Sequence, residues 1–125
     1  MSKEKLKIRV ILSEDSAKQY DELKAVVESE HVKGIGNSFN QQLLKSIDNK
    51  IAYLKINPIA GDHAQQPLPC ELVEKYGINN LWIIDLVNYW RMLYTIRRDE
   101  VEIISLILEW VDHSRYNKIF GRRKK

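Results

Sequence analysis

Three side chains near the carboxyl end of this 125-residue chain have the chemistry needed to cut a phosphodiester. Arg91 stands between Trp90 and Met92 inside a strand-like run, where an arginine is costly unless its face meets solvent or a ligand. Its guanidinium forks naturally onto two phosphate oxygens. His113 exchanges a proton near neutral pH, the property of a general acid or base. Tyr116, three residues on, can stack on a base or orient a phosphate. Each has a plainer reading. Arg91 can pair with Asp85 or Glu109 on neighbouring strands, His113 can be a surface polar group, and Tyr116 can pack with Ile119 and Phe120 in a closing helical turn capped by Asp112.

Further cations surround these residues. Arg97 shares the strand face of Arg91, Leu93 and Thr95, because alternate strand residues point the same way. Arg115 and Lys118 precede a tail holding Arg122, Arg123, Lys124 and Lys125. The net charge is +3, and without those last four residues 16 basic groups face 17 acidic ones, a net of −1. The positive excess is thus terminal, suited to a polyanion such as RNA and equally to a solubilising tail.

Positioning these groups requires an α+β domain. Lys7 to Leu12 alternates weakly and predicts a short edge strand. Ser13 predicts a helix cap, with Glu14 and Asp15 in the first turn, and Ala17, Tyr20, Leu23, Val26 and Val27 form its apolar stripe. The segment 33–37 breaks the pattern, and a second helix is predicted from Ser38 to Asn57, with Phe39, Leu43, Ile47, Ile51 and Leu54 on one face. Residues 57–69 are rich in turn formers, and Cys70 to Gly77 predicts a helical turn. Strands follow at Leu81–Leu86, Tyr89–Arg97 and Val101–Trp110, joined by turns at Val87-Asn88 and Arg98-Asp99. The expected architecture is a four-stranded antiparallel sheet, the last strand pairing with the first, with a helical hairpin across one face and the other face open.

Size and composition are consistent with one domain over 1–125, with a basic tail at 121–125. No apolar run nears the roughly 20 residues of a membrane span. With one cysteine, Cys70, there is no disulfide framework, and a cytoplasmic location is expected. The absence of CxxC, HExxH and glycine-rich phosphate loops argues against a metal or nucleotide cofactor.

The run Trp90-Arg91-Met92-Leu93-Tyr94, the apolar strand Val101 to Leu108 and the ending Asp112-His113-Ser114-Arg115-Tyr116 resemble the RelE/ParE toxin superfamily. The resemblance implies the toxin of a type II toxin–antitoxin pair, with an antitoxin partner covering its cationic surface. It also implies a metal-free endoribonuclease acting on mRNA at the ribosome, in which a ribose 2′-hydroxyl attacks the neighbouring phosphate. Arg91 would contact phosphate, His113 would serve as acid and Tyr116 would position the strand, while Arg97, Arg115, Lys118, Arg122 and Arg123 would bind RNA. The basic residues that such nucleases carry on the preceding strand are replaced by Ile83 and Asp85. Glu71 and His63 are the loop residues available as a base. The alternatives left open are a ParE-like toxin that inhibits DNA gyrase by binding, and a family member without catalysis.

Overall fold

A computed structural model describes residues 6–121. The chain runs β1 (Lys7–Leu12), α1 (Glu14–Val32), α2 (Phe39–Leu54), β2 (Asp62–His63), α3 (Cys70–Tyr76), β3 (Trp82–Asp85), β4 (Arg91–Arg98), β5 (Glu102–Val111) and α4 (His113–Phe120), with a tight turn at Val87–Tyr89 between β3 and β4. Ser13 caps α1 by accepting from the Ser16 amide at 3.0 Å, and its hydroxyl donates to the Leu108 carbonyl at 2.6 Å. The buried Ser16 hydroxyl donates to the Ile107 carbonyl at 2.8 Å, so the start of α1 is pinned to β5 as well as capped. Ser38 caps α2 in the same way, accepting from the Gln41 amide at 3.1 Å. Gly77, at φ 64°, closes α3 in the left-handed region that glycine enters without steric cost.

The sheet has five strands in the order β1-β5-β4-β3-β2, and it is mixed. β1 pairs with β5 as expected, but in parallel, and the two residues of β2 extend the far edge beside β3. The four-stranded antiparallel expectation is corrected on both counts. Alternation fixes which face a strand buries, not its direction; that direction follows from the course of the chain between β1 and β3.

Both faces of the sheet are covered. Met92 and Tyr94 of β4 pack with Ile107 and Trp110 of β5 against Leu43, Ile47 and Leu54 of α2. Leu93, Leu108 and Val111 point the other way and pack against Leu72 of α3, Leu81 and Ile119 of α4. The face expected to be open is therefore roofed by α3 and α4. Even Thr95 on that face is buried, its hydroxyl donating to the Asn80 carbonyl at 2.8 Å. A β-bulge completes the arrangement: Leu93 pairs with Glu109 and Tyr94 with Ile107, leaving Leu108 as an extra residue. The bulge turns Glu109 to the same side as Leu108 and returns Trp110 to the side of Ile107.

Candidate nucleic-acid interface

The connection between β3 and β4 is one residue off the sequence expectation. The Trp90 amide donates to the Val87 carbonyl at 3.2 Å and the Leu86 amide to the Trp90 carbonyl at 2.8 Å. The central residues are therefore Asn88 (φ 54°, ψ 47°) and Tyr89 (φ 66°), the paired left-handed geometry of a type I′ hairpin turn. Asparagine suits the first of these positions. Glycine is the usual occupant of the second, and here a tyrosine holds it with 74% of its surface exposed.

This turn delivers Arg91 to the head of β4, opposite Asp85 of β3 and Val111 of β5. Three contacts hold its guanidinium. Nε lies 3.4 Å from Asp85 Oδ1, Nη1 donates to the Tyr89 carbonyl at 2.9 Å, and the group sits 4.4 Å from the centre of the Tyr116 ring. The Tyr116 contact is a cation–π pair, and it brings α4 to the arginine. His113 opens α4, one turn before Tyr116, so both project from one side of the helix. The His113 ring is 6.1 Å from that of Tyr89, tilted by 58°, and its Nε2 lies 3.3 Å from Asn117 Nδ2. Arg91 and His113 are thus linked through one residue, Tyr89, whose carbonyl holds the first and whose ring meets the second. Beside them Asp85, Leu86, Asn88, Tyr89 and Arg91 line a cleft of about 450 Å³.

No protein-family model matches the sequence, and no curated protein matches it significantly. The structure is similar to that of a YoeB/ParE toxin from Agrobacterium tumefaciens, with a TM-score of 0.54 and 12% identity, over 84% of this chain and 98% of that one. The chain has a YoeB/ParE toxin fold.

On this toxin fold the remaining predicted residues are scattered. Arg115 is not a free cation. It bonds the Glu71 carboxylate and lies 3.8 Å from Glu109 Oε1, so its charge is largely met within the molecule. Glu71 is correspondingly a poor base, since the Arg115 guanidinium holds its carboxyl below the usual carboxylate range. His63 stacks on Trp82 at 4.4 Å, at the end of β3 away from Asp85. Arg97 lies at the opposite end of β4 from Arg91, lining a second cleft of about 400 Å³ with Arg98 and Asn79. Lys118 is exposed on α4. Arg122 and Arg123, with the rest of the tail, lie outside the described residues. Tyr116 and Phe120, with rings 4.5 Å apart, pack beside the buried Ile119 on the second core, so Tyr116 both packs and holds Arg91. Among the described residues no helix is long and apolar enough to cross a membrane, and no three His, Cys, Asp or Glu side chains come together to hold a metal ion.

Sequence reasoning missed Tyr89. The signal was present in Val87-Asn88-Tyr89-Trp90, because asparagine favours the first central position of a type I′ turn. Placing it there moves the strand start past Tyr89.

Proposed function

We propose that this chain is the toxin of a type II toxin–antitoxin pair and a metal-free endoribonuclease that cuts mRNA on the ribosome. The observation that carries the reading is the cluster of Arg91, His113 and Tyr116 around the β3–β4 turn on a YoeB/ParE toxin fold. In this reading Arg91 neutralises the charge developing on the scissile phosphate. His113 protonates the departing 5′-oxygen, and Tyr116 keeps the guanidinium flat and oriented. The attacking 2′-hydroxyl needs a base. Asp85 is the carboxylate nearest Arg91, and it lies on the cleft wall. An antitoxin partner covers this surface when the toxin is held inactive, and the protein works in the cytoplasm.

Incubation of the purified chain with translating ribosomes and a labelled mRNA tests the proposal. Wild type should cut within the ribosome-bound message. Arg91→Ala should lose cleavage at least 100-fold with little change in thermal midpoint, and Arg91→Lys should recover little, because a lysine cannot reproduce the planar fork. A large stability loss in Arg91→Ala would make the residue structural and sink the assignment. A second reading, inhibition of DNA gyrase by binding, draws on two observations. Glu71 is tied to Arg115, and the strand lysines are replaced by Ile83 and Asp85. Intact mRNA together with blocked gyrase supercoiling would favour it.

A further inference from the structure

Tyr89 is the residue whose identity the turn does not explain: a type I′ turn requires positive φ at this position, and glycine, not an aromatic residue, is its favoured occupant. Its φ of 66° lies in the left-handed region, which a Cβ-bearing aromatic residue enters at a steric cost and glycine enters freely. The residue recovers little through burial, being 74% exposed. Asn88 suits the first central position of the turn, but the second favours glycine over any residue with a Cβ. Costly backbone geometry of this kind, kept where it displays a side chain to solvent, points to use of that side chain.

What the ring is displayed beside decides the use. The Tyr89 carbonyl accepts from Arg91 at 2.9 Å, and its ring lies 6.1 Å from His113 and forms part of the cleft wall. At that distance the two rings are direct neighbours, so no third ring fits between them. A planar group would instead stack on the solvent face of the phenol, beside the His113 imidazole and with the Arg91 guanidinium held at the same residue's carbonyl. Flat aromatic rings joined at short intervals by phosphates are the units of a single-stranded nucleic acid, and exposed aromatic faces are the usual means of holding them without regard to sequence.

We infer that Tyr89 is a stacking platform for one nucleobase of a single-stranded RNA, placing the adjoining phosphate between Arg91 and His113. The inference rests on the nuclease reading and assigns it a substrate contact. Tyr89 is then a binding and positioning residue whose effect falls on affinity rather than on proton transfer.

The test is fluorescence anisotropy of the purified chain with a labelled RNA decamer carrying 2′-O-methyl riboses, which cannot be cut. Wild type and Tyr89→Phe should bind alike. Tyr89→Gly should bind roughly ten-fold or more weakly, with a Tm equal to or above that of wild type, because glycine suits the turn. With a decamer lacking bases the gap between wild type and Tyr89→Gly should close. Equal binding by Tyr89→Gly and wild type, with Arg91→Ala weakened, would overturn the platform and leave the RNA reading standing. A Tm loss in Tyr89→Gly accompanying its loss of binding would make the residue structural and overturn the platform too. No binding of the decamer by wild type would overturn the platform, while the nuclease reading stands or falls separately on cleavage of ribosome-bound mRNA.

Discussion

Glu109 shows how one backbone irregularity decides the role of several side chains. Turned inward by the bulge and only 8% exposed, it meets the Tyr76 hydroxyl at 2.8 Å, with Arg115 and Lys75 at 3.8 and 4.0 Å. The same hydroxyl lies 2.8 Å from Asp15, and Asp15 pairs with Lys75 at 2.9 Å. Burial, followed by these two carboxylates, pushes the Tyr76 phenol far above its ordinary range, so it remains a donor at any working pH. Lys75, then Tyr76, hold the Asp15 carboxyl below the usual range, and Arg115 does the same for Glu71. A carboxyl whose folded pKa is depressed contributes stability above its unfolded value of about 4, and that contribution is lost as pH falls through the lowered folded value. Thermal midpoints should therefore be level between pH 7 and 5 and decline below about pH 4. The double variant Asp15→Asn, Glu71→Gln should decline less steeply when followed by circular dichroism. The difference should be modest, since nearly half of each side chain meets water and is screened. Parallel acid profiles for the two proteins would show that the cluster adds nothing.

At the scale of elements, close approach matters as much as attraction. Gly61 leads into β2, and a Cβ there would stand 2.6 Å from the Ile83 carbonyl oxygen and 2.9 Å from the Tyr94 hydroxyl. That hydroxyl accepts from the Gly61 amide at 3.0 Å and donates to the Pro58 carbonyl at 2.8 Å, tying the loop after α2 to the buried ring of β4. Gly61→Ala must push against backbone that cannot rotate away, and it should cost roughly 1–3 kcal/mol in urea unfolding. A change below about 0.5 kcal/mol would mean that the loop yields freely. The sequence exposes this region poorly. Two residues of strand carry no periodicity, and Leu68, Leu72 and Ile78, which roof the second face, lie scattered through a stretch dominated by turn formers. The serine cap at Ser13, the helix start at Ser38, the glycine stop at Gly77, the aspartate cap at Asp112 and the faces of β4 were all readable, because each is a local choice. The parallel sense of β1, the bulge at Leu108 and the pairing of Arg115 with Glu71 were not. Each depends on what lies opposite, and sequence spacing does not encode partners 44 or 95 positions apart. Arg91 was legible as a residue out of place in its strand, whereas Tyr89 was hidden by a one-residue error in the turn.

For the molecule as a whole, charge rather than shape separates close contacts from long-range attraction. Arg115, Lys75, Arg9 and Arg91 are each paired to a carboxylate, whereas Arg97 and Arg98 line the cleft at the far end of β4, Lys118 is exposed on α4, and four more cations stand in the terminal tail. Removing the four tail cations takes the formal charge from +3 to −1, so an RNA approaching the truncated chain meets no net attraction. Each phosphate neutralised on a single strand contributes about 0.7 to the slope of log affinity against log salt. Deleting residues 122–125 should therefore flatten that slope by up to roughly 3 and slow association at low salt. The ratio of wild-type to Tyr89→Gly affinity should stay unchanged, because stacking at the cleft is independent of the tail. Salt titrations of the decamer at four or five ionic strengths give both quantities. An unaltered slope after deletion would place the tail away from RNA and leave Arg97, Arg98 and Lys118 to supply the long-range field.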